Sequence, residues 1–95
     1  MPDKQGIQAI VSGRVQGVFF RAETQKKALS LQLLGEVCNQ PNGAVSVYAY
    51  GSKSALNDLI TWLDHGPMLA RVDHLAVKWL DALPDPIPQT FRITG

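Results

Sequence analysis

Residues 13–21 constrain the fold of this 95-residue chain more than any other stretch, because two kinds of periodicity meet there. Before them, apolar residues alternate from Ile7 to Val11 as in a largely buried strand, and after them helix-favouring residues begin. A turn containing Gly17 can aim successive backbone N–H groups into one concavity, and the following helix adds the positive end of its dipole. With the planar guanidinium of Arg21, the stretch predicts a binding site for an anion such as phosphate. It matches neither the Walker loop nor the dinucleotide-binding motif, so an ordinary turn followed by a solvated arginine is an equal alternative at this point.

Length and composition favour a small globular protein with a small partner. The length suits one domain, expected to span residues 1–95 with residues 1–6 flexible. The chain is 45% hydrophobic and 18% charged with a net charge of +1, which argues against disorder and against a broad nucleic-acid-binding face. We therefore expect a small-molecule partner and no nucleic-acid partner. We also expect a monomer, although the sequence itself does not give the oligomeric state.

Cysteine content and hydropathy indicate the compartment. Because Cys38 is the single cysteine, it cannot form a disulfide within the chain. No apolar run resembles a signal peptide or a membrane span of about 20 residues. The sequence therefore predicts a cytoplasmic protein without a membrane partner.

Two segments have the periodicity of helices. The first is predicted from Arg21 to about Leu33. Its predicted face consists of Ala22, Gln25, Leu29 and Leu33. The second begins after Ser52 or Ser54 as N-cap and ends near His65, before a glycine and a proline. Its apolar face consists of Leu56, Leu59, Ile60 and Leu63.

Strands complete the pattern. Residues 37–40 and 44–50 are predicted to pair as a hairpin, because the Asn-Gly pair at 42–43 is a strong turn signal. A further strand is predicted at residues 71–80, with a β-bulge where its alternation slips, and a short edge strand at residues 90–93. This order predicts an α+β protein with the ferredoxin-like split βαβ (βαββαβ) fold, an antiparallel sheet with two helices on one face. That fold serves enzymes, RNA-binding proteins and ligand-binding modules, so it does not give the function.

Residues along most of the chain occur in the order and spacing of a known family. They are Gly13, Val15, Gln16, Gly17, Val18, Phe20 and Arg21; then Ala28, Leu31, Leu33, Gly35, Val37, Asn39, Asn42, Gly43 and Val45; then Gly51, Gly66, Pro67, Ala70, Val72, Phe91 and Ile93. In these positions the chain resembles the acylphosphatase family, and the resemblance covers essentially its whole length.

The resemblance implies an enzyme that hydrolyses the carboxyl–phosphate bond of small acyl phosphates to carboxylate and phosphate, without a metal or a cofactor. It implies that Arg21 is catalytic and binds phosphate together with the backbone of six residues, Val15, Gln16, Gly17, Val18, Phe19 and Phe20. Asn39 matches the family's second catalytic residue, an asparagine that orients the attacking water. Inorganic phosphate or a similar anion is then expected to act as a competitive inhibitor.

Such a site needs no ionisable base or acid. The leaving carboxylate has a conjugate acid with a pKa of about 4, so it departs without a general acid, and the substrate phosphate can accept the proton of the water. We therefore assign His65 and His74 structural roles. Strand alternation places Cys38 on the face opposite Asn39, which argues against its participation.

Four residues depart from the family pattern. Phe19 stands where glycine is frequent, and its side chain would narrow the site or restrict the turn. Gln32 replaces a usual glycine, and Asn42 replaces a usual aspartate. Glu36 stands where an aromatic residue is common, and it is expected to face solvent.

Two other functions fit the same fold. A non-catalytic module that holds phosphate or another anion is favoured by Phe19 and Glu36, and disfavoured by Asn39 beside Arg21. An RNA-binding domain would use exposed aromatics such as Tyr48 and Tyr50 on a basic face, and the near-neutral charge disfavours it.

Overall fold

The computed structural model describes residues 4–95, which form a five-stranded sheet and two helices. The elements are β1 (Gln5–Arg14), α1 (Phe20–Ser30), β2 (Leu34–Asn39), β3 (Val45–Gly51), α2 (Lys53–His65), β4 (Arg71–Trp79) and β5 (Phe91–Ile93). The strands lie in the order β4-β1-β3-β2-β5. Both helices pack on one sheet, and the order is that of the predicted ferredoxin-like α+β fold.

The sheet is mixed, because its last strand runs parallel to its neighbour. Strands β1 to β4 pair antiparallel, as predicted, and β5 pairs parallel with β2 at the sheet edge. The slip of alternation between Val72 and Leu75 is a β-bulge, as predicted. Ser12 pairs with His74 and Gly13 pairs with Val72, so one additional residue of β4 has no counterpart in β1.

Strand β1 begins earlier than the alternation indicated. Gln5 pairs with Gly51 and Gly6 pairs with Tyr50, so these two residues belong to the sheet. The prediction of a flexible segment over residues 1–6 was therefore wrong at Gln5 and Gly6, because β3 supplies partners for their backbone. Residues 1–3 lie outside the described part of the chain.

The buried face of α1 is rotated from the predicted face. Phe20, Thr24 and Ala28 are buried, whereas Leu29 is 47% exposed. The physical reason is the ring of Phe20, which packs in the core against Trp62 with ring centroids 6.1 Å apart. Since Phe20 is the first helical residue, its burial fixes the rotation of the whole helix.

Helix α1 also ends earlier than predicted, at Ser30 rather than near Leu33. Gln32 has φ of +59°, in the left-handed region, and the chain turns there from the helix into β2. A glycine suits this conformation best. The structure thus gives a physical reason for a glycine at this position, which the resemblance implied as usual.

Helix α2 begins and ends where the sequence indicated. Ser52 is its N-cap and accepts a hydrogen bond from the backbone N–H of Ala55 at 3.2 Å. Gly66 follows the last residue, with φ of +71°. Within residues 4–95, no helix is long and apolar enough to cross a membrane.

The core lies between the sheet and the helices. Alternate residues of β1 and β3 face it, as do Val37 of β2 and Phe91 of β5. From α2 it receives Leu56, Leu59 and Leu63, three of the four residues predicted for this face, and the fourth, Ile60, packs against it.

Strand directions bring three chain segments to one end of the sheet. Strands β1, β2 and β5 run in the same direction, since β1 and β2 are both antiparallel to β3 and β5 is parallel to β2. Val45, the first residue of β3, pairs with both Val11 and Asn39. The turn after β1, the end of β2 and the segment after β5 therefore meet at the same end.

Candidate active site

The turn between β1 and α1 has a backbone suited to an anion. Gly17 and Phe19 have φ of +73° and +61°, so two residues two positions apart are left-handed. Turns built from such residues direct successive N–H groups into a concavity. A Cβ added at Gly17 would meet nothing within 4 Å, so the turn faces open space at this residue.

The helix that follows begins without a side-chain cap. Phe19 is the N-cap of α1, and it makes no side-chain hydrogen bond to the helix. A phenyl ring has no acceptor oxygen, in contrast to Ser52 at the start of α2. The N–H groups of the first turn of α1 are therefore available to a ligand, at the positive end of the helix dipole.

A cavity of about 290 Å³ lies against this turn and the start of α1. It is lined by Val15, Gly17, Phe19, Phe20, Arg21, Ala22 and Ile93. Five of these belong to the predicted phosphate-binding set, whereas Gln16 and Val18 do not line the cavity. Ile93 was missed by sequence reasoning, because it reaches this end only through the parallel pairing of β5 with β2.

Gln16 holds the turn against the neighbouring hairpin. Its side-chain Nε2 donates hydrogen bonds to the carbonyl oxygens of Gln40, at 2.9 Å, and Ala44, at 2.8 Å. Both acceptors flank the Asn-Gly turn, in which Asn42 Oδ1 accepts from the N–H of Ala44. The sequence singled out Gln16 for its backbone, and the structure adds a role for its side chain.

Arg21 and Asn39, the two predicted catalytic residues, meet at one oxygen. The carbonyl oxygen of Gly95 accepts a hydrogen bond from Arg21 Nη1 and another from the backbone N–H of Asn39, the latter at 2.9 Å. A guanidinium has five N–H donors, so this contact leaves others for a ligand. The fold thus brings together residues from α1, from β2 and from the segment after β5.

The side chain of Asn39 lies on the sheet face that carries the helices. Val37, two residues earlier on the same face, is in the core. Asn39 Oδ1 is buried and has no hydrogen-bond partner within residues 4–95. Cys38 lies on the opposite face, as predicted, where its Sγ accepts from Gln40 Nε2 at 3.4 Å. Asn39 therefore carries an acceptor that the protein itself does not satisfy.

The other charged and aromatic candidates lie away from the turn. Glu36 is on the opposite face from Asn39 and pairs with Arg92 at 3.2 Å, so its carboxylate does not lie on the face of Asn39. Tyr50, also on that outer face, is buried. Burial raises the pKa of Tyr50, and the nearby Glu36 and Tyr48 raise it further. A buried tyrosine is not a stacking platform, which argues against the RNA-binding alternative.

The residues present do not form a metal centre in the described part of the chain. Among residues 4–95, no three His, Cys, Asp or Glu side chains come together in an arrangement that could hold an ion. His65 Nδ1 lies 3.0 Å from the carbonyl oxygen of Thr61 in the last turn of α2, a structural position.

Comparison with known proteins decides the family. The acylphosphatase family model matches residues 7–93, nearly the whole described chain. The chain belongs to the acylphosphatase family. An acylphosphatase of Hahella chejuensis is 45% identical over 85 residues, covering 90% of each chain.

Solved acylphosphatase structures agree with this assignment. The acylphosphatase from Coxiella burnetii has a TM-score of 0.89 at 36% identity, covering 97% of this chain and 94% of that one. The acylphosphatase from Bacillus subtilis has a TM-score of 0.90 at 31% identity, covering 96% of this chain and 99% of that one. The chain is therefore an acylphosphatase-family enzyme, and the predicted resemblance is confirmed.

Proposed function

We propose that this enzyme hydrolyses the carboxyl–phosphate bond of small acyl phosphates, using a backbone and arginine site for phosphate and an asparagine for water. The observation that carries the proposal is the buried Oδ1 of Asn39, which has no hydrogen-bond partner within residues 4–95, at the same end of the sheet as Arg21. The contact of Arg21 Nη1 and of the backbone N–H of Asn39 with the carbonyl oxygen of Gly95 supports the proposal, because it joins these two residues near the open turn. The proposal requires no cofactor.

Phosphate binding rests on oriented donors. In this proposal the phosphate occupies the cavity beside the turn after β1. The backbone N–H groups of residues 15–20 and the guanidinium of Arg21 donate hydrogen bonds to it. In phosphoryl transfer, charge spreads over three equatorial oxygens of the transferred group, and fixed donors stabilise that charge without reorganising. Five of the seven residues predicted to bind phosphate line this cavity.

Asn39 acts on the nucleophile. Its unsatisfied Oδ1 accepts a hydrogen bond from the attacking water and so directs the water lone pair at phosphorus. The water oxygen forms a bond to phosphorus, the bond from phosphorus to the acyl oxygen breaks, and its electron pair leaves on the carboxylate. The water proton passes to a phosphate oxygen. Because the carboxylate is a weak base, no general acid is needed.

The decisive experiment is hydrolysis of benzoyl phosphate by the purified chain in excess chelator. We expect turnover to persist in chelator and inorganic phosphate to inhibit it competitively. Asn39→Ala should lower kcat about 100-fold or more, since it removes the group that positions water. The matched control is Asn57→Ala, which alters an exposed asparagine of α2 and should leave kcat unchanged.

Two results would contradict the proposal. Loss of activity in chelator that a divalent cation restores would show metal-dependent chemistry. Competitive phosphate binding without turnover would leave the anion-binding alternative as the function of this chain.

We further propose that the chain forms one domain, acts as a monomer and works in the cytoplasm. The first and last strands join the same sheet, and Cys38 is not in a disulfide. Analytical ultracentrifugation tests the monomer, and cell fractionation tests the compartment.

A further inference from the structure

An apolar groove adjoins the candidate phosphate site. Its volume is about 380 Å³, and it is lined by Val18, Phe19, Glu23, Pro67, Met68 and Leu69. Three of its large apolar side chains are exposed: Met68 by 97%, Phe19 by 74% and Leu69 by 65%. Contiguous exposed apolar side chains of this kind indicate a binding surface.

The far wall of the groove is a closed turn between α2 and β4. The N–H of Ala70 donates to the carbonyl oxygen of Pro67 at 3.0 Å, which leaves Met68 and Leu69 at the two central positions. Neither residue belongs to the core. Burial within the protein therefore does not explain their apolar character.

Phe19 connects the groove to the phosphate site, because it lines both cavities. Its φ of +61° is unfavourable for a residue with a bulky side chain, and such strain persists where it serves a site. Glycine would relieve the strain and remove the ring. The chain instead keeps a phenyl ring at the boundary between the two cavities.

We propose that this groove binds the acyl group of the substrate and gives the enzyme a preference for acyl phosphates with uncharged, apolar acyl groups. The inference rests on the proposed function, since it requires the phosphate to occupy the neighbouring turn. An acyl group leaving that turn past Phe19 enters the groove directly. A cavity of this size accepts a phenyl ring or a medium aliphatic chain, and methionine adapts to either shape.

Glu23 makes the groove unfavourable for negatively charged acyl groups. It is exposed at the groove, and its carboxylate repels an acyl group that bears a second negative charge. The groove therefore discriminates in two ways, by apolar contact in favour of large acyl groups and by charge against dicarboxylic ones.

The test compares benzoyl, acetyl and succinyl phosphate as substrates of the wild type and the double variant M68S/L69S. We expect the ratio of kcat/KM for benzoyl over acetyl phosphate to fall about tenfold in the double variant, because an apolar contact to the acyl group is lost. Leu29→Ser is the matched control, since Leu29 is an exposed leucine of α1 outside the groove, and it should keep the wild-type ratio. Glu23→Gln should raise the ratio for succinyl over acetyl phosphate about threefold.

The outcomes separate the groove from the proposed function. Equal benzoyl-to-acetyl ratios in wild type and M68S/L69S overturn the groove, while hydrolysis itself stands. A wild type that turns over none of the three substrates overturns the proposed function and the groove with it. Self-association in sedimentation that M68S/L69S abolishes, with an unchanged ratio, assigns the surface to a second copy of the chain instead.

Discussion

At the scale of single residues, Arg21 is held in place before a ligand arrives. It lies in the first turn of α1, where the dipole is positive, and its Nη1 donates to Gly95. A cation at a helix N-terminus is unfavourable for the helix, so its position there indicates a role toward an anion.

Replacing this arginine should mainly weaken binding. We expect Arg21→Ala to raise KM for benzoyl phosphate, and Ki for inorganic phosphate, by about 10- to 100-fold, because a charged hydrogen-bond donor to phosphate is lost. Steady-state kinetics with phosphate inhibition measure both constants. Arg71→Ala, which removes an exposed arginine paired with Asp73, should leave both constants unchanged. An unaltered Ki in Arg21→Ala would remove Arg21 from the phosphate site.

A second single-residue effect concerns stability. Gln32 has φ of +59°, so Gln32→Gly should raise the free energy of unfolding by about 0.5–1 kcal/mol, net of the greater chain entropy of glycine. Urea denaturation measures the change. Gln32→Ala keeps a Cβ in the left-handed region and should give no gain. A lower free energy of unfolding for Gln32→Gly would show that the contacts of the glutamine side chain stabilise the fold by more than its left-handed backbone destabilises it.

At the scale of elements, the site depends on a hydrogen-bonded link between two connections. The side chain of Gln16 joins the turn after β1 to the hairpin after β2, through the carbonyl oxygens of Gln40 and Ala44. Asn39 lies at the end of β2, directly before that hairpin. The link therefore couples the shape of the turn after β1 to the end of β2, where Asn39 lies.

Removing this link should affect both stability and phosphate affinity. Gln16→Leu keeps the size of the side chain and removes its two hydrogen bonds. The carbonyl oxygens of Gln40 and Ala44 each keep a backbone donor, from Gly43 and Gln40 respectively, so we expect a loss of about 1–2 kcal/mol in the free energy of unfolding. We also expect a higher Ki for phosphate at temperatures where the variant is fully folded, which a purely stabilising role would not produce. Gln89→Leu, an exposed substitution in the loop before β5, is the control and should change neither quantity.

At the scale of the whole molecule, the site stands on a rigid core. The buried cluster runs from all strands except β4, through α1, to the three leucines of α2. This packing holds the residues at the end of the sheet in place, since close-packed interiors deform little.

Leu59 is fully buried in the hydrophobic core, so its truncation should strongly lower the stability of the protein. Leu59→Ala should lower the free energy of unfolding by about 2–5 kcal/mol, through lost apolar burial and a residual cavity. Leu29→Ala, at an exposed position of α1, should change it by less than about 0.5 kcal/mol. Chemical denaturation of both variants measures the difference, and an unchanged midpoint for Leu59→Ala would contradict the assigned core.

Much of the fold was readable from local patterns. The Asn-Gly pair predicted the hairpin, the leucines of α2 predicted its buried face, and the slip after Val72 predicted the bulge. These signals are local, because turn chemistry and side-chain periodicity are properties of neighbouring residues. The family resemblance likewise rested on ordered residue types.

The sequence by itself determined the order of elements, the family and the residue types of the candidate site. Tertiary structure alone decided which backbone partners Gln5 and Gly6 find, how α1 rotates about Phe20, and that Gly95 joins Arg21 to Asn39. It also decided that the turn at Pro67 comes to lie beside Phe19. The physical reason is that these contacts join residues far apart in the chain, and only the packing of the complete sheet and helices determines their distance.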